Sequence, residues 1–355
     1  MNSQSEKNSR IEYLDGWRGL AIIFVLVGHF GGYLVPALVT MGSFGVEFFF
    51  VLSGRLMAEI LFVQKLHLPT FFVRRFSRIY PALLFFVAAM SALAAVLWVL
   101  KGRSTIEPWM ALSALTFTLN YTQVFWQTYA STLSHIWSLS VEEHCYIILA
   151  LIGAVVARDI PTARLVIGAL GVFAIVNGVL LVAGGGSAHY VYWRTDVRLA
   201  PVFISAALYL SLGRGTRMTP RSEYLLGHLP LPCVALTIAL FFLAPIEVHY
   251  SASAILLPLA VTTLDYAPVA IRQLLSLRPL TLFGALSYSI YLWQQPFYRS
   301  QDGSKFWFAM LPAAILAGIF SYRFVEQPAR NWLNGRFASR RSRSDDASTV
   351  SASAE

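Results

Sequence analysis

Ten long apolar stretches divide this chain, near residues 17–38, 43–63, 79–100, 137–157, 164–183, 197–213, 229–246, 250–268, 280–299 and 305–325. Each has the ~17–25 residues that a helix needs to cross about 30 Å of hydrocarbon. Composition agrees: 57% of the 355 residues are hydrophobic and only 13% are charged. A soluble domain carries about 25% charge. The sequence therefore reads as all-α, a polytopic membrane protein of about ten transmembrane helices with both termini cytoplasmic. Residues 1–16 form a cytoplasmic N-terminal segment and 17–330 the transmembrane domain. Residues 331–355 are expected to be a disordered basic, Ser-rich cytoplasmic tail.

Charge placement supports that topology. With ten spans and a cytoplasmic start, 20 Lys/Arg lie inside, six lie outside, and Arg55 is left within a span. This is the positive-inside bias. Residues 111–125 are apolar but short, and Asn120, Thr122 and Gln123 interrupt them. An eleventh span there would carry Arg158, Arg164 and the Arg-rich tail to the outside, so the segment reads as re-entrant or interfacial. The net charge of +9 follows from the inside bias toward anionic headgroups. Membrane lipids are thus expected partners, and nucleic acid is not. Cys145 and Cys233 fall in different spans without a CxxC or Cys/His pattern, which implies packing roles and no metal site. The first span is too long for a cleavable signal, and no appended soluble domain is read.

Inside the first span, Arg18 and His29 are eleven residues apart. On a regular helix that spacing puts both on one face, about 16 Å apart along the axis. With Arg18 at a membrane surface, His29 lies near the bilayer centre, where a titratable group is costly and marks a candidate functional site. A His bonded to a neighbouring helix is the other reading.

Counted inward from the outer ends of their spans, His29, Ser53 and Glu143 lie at depths of about 9–15 Å, with Glu47 and Glu142 nearer the surface. An imidazole and a carboxylate in one layer suit acid/base chemistry. Glu143 either orients His29 or pairs with Arg55 or His144. Arg74, Arg75 and Arg78 stack where a helix is expected to start, just before Tyr80-Pro81. Three guanidinium forks beside helix N–H groups favour a multiply phosphorylated ligand, and a lipid-headgroup cluster is the alternative. Arg194, Asp196 and Arg198 stand at the outer entrance of the sixth span, placed to bond a sugar or one another.

Several segments together resemble acyltransferase family 3, integral-membrane O-acyltransferases of bacterial surface glycans such as exopolysaccharide and lipopolysaccharide. They are the Arg18–His29 pair, GVEFFFVLSG (45–54), RRFSRIYPAL (74–83), HIWSLSVEEHCYI (135–147), ALSYSIYLWQQP (285–296) and YRFVEQPAR (322–330). The resemblance covers residues 11–330 and implies a bacterial inner-membrane enzyme. Its donor would be cytoplasmic acyl-CoA, acetyl-CoA for preference, with no permanently bound cofactor. Its acceptor would be a hydroxyl of a surface or lipid-linked glycan. His29 would be the catalytic base, supported by Arg18, Glu142 and Glu143. Arg74, Arg75, Arg78, Tyr80 and Ser53 would hold the donor, and Glu47, Trp137, Arg194 and Asp196 the acceptor. Two departures stand out: Gln294 replaces a frequent His, and Arg55 replaces a frequent aromatic, its charge expected either to alter the donor tunnel or to pair with Glu47 or Glu143. A proton-coupled transporter or flippase using His29, Glu47 and Glu143 is the competing class. It predicts inverted repeats and broken helices, and neither is clear in the sequence.

Overall fold

The computed structural model describes residues 11–102, 106–126, 131–156, 159–213, 216–300 and 307–337. Its helices are, in order, α1 (Glu12–Leu26), α2 (Thr40–Ala58), α3 (Leu68–Lys101), α4 (Pro108–Leu115), α5 (Leu119–Trp126) and α6 (Trp137–Val156). Next come α7 (Ile160–Ala183), α8 (Thr195–Leu212), α9 (Pro220–Leu243), α10 (Ile246–Thr263), α11 (Val269–Leu275), α12 (Arg278–Ser300) and α13 (Phe308–Phe337). Among the described residues there is no β-strand. The protein is an all-α multi-pass membrane protein.

Eight helical stretches are long and apolar enough to cross a membrane, and the pair α11–α12, bent by 52°, makes a ninth when counted as one. The remaining expected span, 43–63, is α2, whose 19 residues run on into a five-residue π-helical turn, Glu59–Val63. At 1.5 Å per residue it is long enough, about 36 Å. Glu47 and Arg55 lower its apolarity. α2 packs against α1, α6, α8 and α10, so those charges meet protein rather than lipid, which is how intramembrane charges are tolerated.

Several boundaries differ from the sequence reading, and α1 already begins at Glu12, inside the expected N-terminal segment 1–16. α3 starts at Leu68, eleven residues before the expected 79, with Pro69 in its first turn. Proline is pre-set for that position because its fixed φ suits the helix and the absent N–H would be unpaired there. Residues 331–337 extend α13 instead of joining the tail, and the rest of the tail lies outside the described residues. The segment 111–125 is two eight-residue helices, α4 and α5, each about 12 Å long and too short to span. Asn120 is buried and donates to Trp193 O at 3.2 Å and Thr195 Oγ1 at 3.0 Å, and Gln123 donates to Ser134 O at 3.0 Å. These bonds anchor α5 to the bundle by its polar side.

The closest helix contacts use small residues, as expected where lipid supplies no hydrophobic drive for helix association. α1 lies against α12 so tightly that a Cβ at Gly284 would sit 2.0 Å from Asp15 O. Polar pairs hold the rest. Arg55, fully buried, reaches Asp265 at 2.7 Å and Val261 O at 3.1 Å, with its guanidinium 5.2 Å from the Tyr209 ring. Tyr13 of α1 donates to the same Asp265 carboxylate. The expected pairing of Arg55 with Glu47 or Glu143 is replaced by this cross-bundle one, since Asp265 closes the same interface from α10's far end.

Asp265→Ala removes the partner of a buried cation and is expected to cost about 3–5 kcal/mol. Thermal unfolding in detergent checks this. The double variant Arg55→Leu/Asp265→Leu should regain most of the loss, because no lone charge then remains buried.

Candidate active site

Two chambers open within the bundle. The first, about 510 Å³, lies where α1 begins and carries Arg18, Arg74, Arg75, Arg78 and Arg330 on its walls. α13 returns to this end, where Ser77 of α3 donates to Asn334 at 2.9 Å. Arg18 is paired with Asp15 at 3.1 Å. Arg75 reaches Glu143 at 3.2 Å and Glu142 at 3.6 Å, and lies 3.4 Å from the centre of the Tyr146 ring. Glu142 also accepts from Ser53 and Tyr146. Arg74, Arg78 and Arg330 have no ion pair among the described residues. Arg74 and Arg78 are one helical turn apart on α3, so their charges act on the same side of that helix. Buried Glu326 lies within electrostatic reach of Arg78 and Arg330 without forming an ion pair with either, so the arginines outnumber the carboxylates near them and the chamber suits a polyanion.

The cluster does not sit at a helix start. α3 begins six residues before Arg74, so its first-turn N–H groups do not flank the guanidiniums, and side-chain charge alone supplies the attraction. Tyr80, expected to hold the donor, stacks on Phe76 with ring centres 4.7 Å apart and lines neither chamber. Arg330 was not singled out from the sequence, although it closes the YRFVEQPAR segment.

The second chamber, about 320 Å³, holds His29 and the aromatic side chains of Trp137, Trp193, Tyr192 and Tyr250. His29 lies in the π-helical turn Val27–Gly31 that continues α1. π turns are rare and frequent at functional sites. The wider turn ends the regular-helix arithmetic at Leu26. Arg18 and His29 therefore serve different chambers instead of one face. Gly28 permits the close approach of α1 and α2 beside His29, because a Cβ there would meet Gly42 N at 2.1 Å.

His29 Nδ1 lies 2.6 Å from Gln294 Oε1, and its ring stacks on Tyr298 at 4.3 Å. Gln294 Nε2 is turned toward Gln295 Oε1 at 3.4 Å, which assigns the amide oxygen to the histidine side. An amide oxygen only accepts, so Nδ1 carries the hydrogen and Nε2 keeps its lone pair. That is the tautomer a general base needs. Gln294 does by hydrogen bonding the orienting task expected of Glu143, which instead pairs with Arg75. Glu142 and Ser53 thus line the arginine chamber, with Glu143 paired to its Arg75, and the single polar layer inferred from depth divides between two sites.

The expected acceptor residues also separate. Trp137 lines the histidine chamber and stacks with Trp193 at 5.9 Å. Glu47 is fully buried against Arg198 and lines neither chamber. Arg198 does line the histidine chamber, its guanidinium 4.6 Å from the Tyr250 ring. Arg194 and Asp196 bond each other at 2.8 and 3.0 Å, and Asn177 adds a 3.0 Å bond to Asp196. They line neither chamber, so of the two openings left for them the mutual pair is the one formed. His144, the other suggested partner of Glu143, bonds Thr195 at 2.8 Å.

An arginine-lined chamber at one end of a membrane bundle and an oriented imidazole in a second chamber define an integral-membrane protein with a two-part polar site. The acyltransferase-domain profile matches residues 11–327, and the chain belongs to that family, acyltransferase family 3. It is 25% identical over 346 residues to the O-acetyltransferase OatA of Staphylococcus aureus (strain NCTC 8325 / PS 47), covering 89% of this chain and 57% of that protein. It is 28% identical over 366 residues to the putative peptidoglycan O-acetyltransferase YrhL of Bacillus subtilis (strain 168), covering 93% and 56%. With the peptidoglycan O-acetyltransferase OatA of Listeria monocytogenes it shares 27% over 352 residues, covering 89% and 55%. The chain therefore spans little more than half the length of these curated relatives. No solved structure matches it.

The Gln294 hydrogen bond has a direct consequence. If His29 is the general base, Gln294→Ala should slow turnover by about tenfold or more, within the 10²–10⁴-fold that a general base contributes, while binding of a polyanion such as coenzyme A stays unchanged. Turnover and binding measured on the same preparation check the split.

Proposed function

We propose that the protein is a membrane O-acyltransferase of the bacterial cytoplasmic membrane, with the arginine chamber facing the cytoplasm. It carries an acyl group, acetyl for preference, from acyl-CoA to a hydroxyl of a cell-surface glycan or its lipid-linked precursor. The observation that carries this reading is the pairing of an arginine-rich chamber, whose Arg74, Arg78 and Arg330 form no ion pair among the described residues, with a separate, oriented imidazole in one transmembrane domain. The relatives' names, O-acetyltransferase and peptidoglycan O-acetyltransferase, favour acetyl as the group and peptidoglycan as one acceptor.

In this reading the coenzyme's phosphates lie among Arg74, Arg78 and Arg330, and the pantetheine arm carries the thioester toward the histidine chamber. A sugar ring of the acceptor rests on the Trp137 and Trp193 faces, aromatic surfaces that take the apolar side of a saccharide. His29 Nε2 takes the hydroxyl proton as the oxygen attacks the thioester carbonyl carbon. The C–O bond forms, the C–S bond breaks, and the proton passes from His29 to the departing thiolate. The arrangement keeps the charged nucleotide in water at the membrane edge and places only the small acyl group in the interior. A transporter has no need of a thioester, so thiol release separates the two classes.

Inside-out membrane vesicles of a deletion strain, expressing the protein and supplied with radiolabelled acetyl-CoA, should transfer label to glycan and release free thiol. His29→Ala at matched abundance should abolish both. Arg74→Gln and Arg78→Gln should each weaken acyl-CoA binding by about 1.5–3 kcal/mol with little loss of folded protein. Arg75→Gln should instead lower stability, because Glu142 and Glu143 lose their shared cation. Label transfer undiminished in His29→Ala would overturn the catalytic assignment.

A further inference from the structure

The two chambers adjoin, since Val46 of α2 and Tyr291 of α12 line both. We propose that these two side chains form the neck through which the acyl group passes, and that their bulk sets the largest acyl group transferred. This rests on the acyl-transfer reading above and adds which donors that reaction accepts.

Both walls of the neck are stiff. Val46 packs against two separate core clusters, one built on α2, α6, α7 and α8 and the other on α1 and α12. A β-branched side chain in a helix keeps one favoured rotamer, so Val46 has little room to swing away. Tyr291 is held at its far end, where its hydroxyl donates to His135 O at 2.9 Å and shares a hydrogen bond with Ser138 Oγ at 2.6 Å. Its ring also meets Phe49 and His135, with centres 6.3 and 5.2 Å away. Moving the ring aside breaks two buried hydrogen bonds, one to the turn Ser134–Ile136 and one to the start of α6. A close-packed interior does not yield smoothly to an oversized guest. The neck therefore acts as a gauge: an acetyl group passes, and added methylenes meet Val46 and the Tyr291 ring. A closed apolar site typically resolves one methylene by about 10–200-fold.

The location also explains why selection falls here. The coenzyme is common to all acyl-CoA donors, so the arginine chamber cannot tell them apart. The histidine chamber must be roomy enough for a saccharide. Only the passage between them sees the acyl chain alone.

The test uses the same inside-out vesicles, supplied in turn with radiolabelled acetyl-, propionyl- and butyryl-CoA. Wild-type protein should prefer acetyl by about tenfold or more over butyryl. Val46→Ala and Tyr291→Leu should each raise the butyryl-to-acetyl rate ratio by about tenfold. Val46→Phe should suppress transfer of all three donors while acyl-CoA binding stays within about twofold of wild type. Each ratio is internal to one preparation, so differences in abundance cancel. If Tyr291→Leu does not accumulate, Val46→Ala combined with Tyr291→Phe supplies the same measurement. Unchanged ratios in the folded variants, with active wild-type protein, overturn the neck alone. A wild-type protein that transfers none of the three groups removes the acyl-transfer reading and the neck with it.

Discussion

The structure depends on enclosing charge that lipid would not accept. α2 carries Glu47 and Arg55 within its length, and both are fully buried. Each is matched by a partner from another helix, Arg198 of α8 for Glu47 and Asp265 beyond α10 for Arg55. An isolated buried ion would cost several kcal/mol, so these pairs require α8 and α10 to close around α2. Once they do, the other faces of α2 are set as well. Ser53 is delivered to the arginine chamber and Val46 to the boundary between the chambers. The site is thus a by-product of how one charged helix is hidden.

A division of labour follows from dielectric environment. The arginine chamber gathers several cations that would be prohibitive deep in lipid, and its position near the start of α1 and the end of α13 keeps it close to an aqueous edge. The histidine chamber carries fewer cations: Arg198, neutralised by Glu47, and Arg299 line it beside His29, His135 and the aromatic walls. The π turn at Val27–Gly31 lets α1 serve both, because the local change of pitch turns His29 away from the line that Arg18 begins.

Much of this was legible in the residues. Apolar length exposed the spans, the scarcity of charge made each intramembrane ionisable group conspicuous, and His29, Arg18 and the arginines of α3 stood out for that reason. The start of α3 was missed because Leu68–Ile79 mixes apolar and basic residues, which hydropathy reads as loop, although Pro69 marked the first turn. Gln294 was noticed only as a departure from a frequent His. Its role is invisible along the chain, because it lies 265 residues from His29 and a neutral amide attracts no notice in a polar survey. Tyr80, Arg194 and Asp196 drew attention as polar or aromatic groups in suggestive segments, yet they satisfy one another or a neighbour locally.

The sequence by itself determined that the chain is a helical membrane protein, and which few ionisable groups had to be hidden within it. Hydropathy and charge are local properties, and lipid punishes their misplacement wherever the helix lies. Only the tertiary structure decided how those groups are paired: Arg55 with Asp265, Glu47 with Arg198, Glu143 with Arg75 and His29 with Gln294. Pairing depends on which helix faces touch, and helix order in a bundle is set by packing of small residues and complementary charges summed over the whole domain. Several carboxylates could have met each cation at similar depth. Close backbone approaches, at Gly16 with Leu275, Gly54 with Val202, Gly284 with Asp15 and Gly28 with Gly42, are part of that packing.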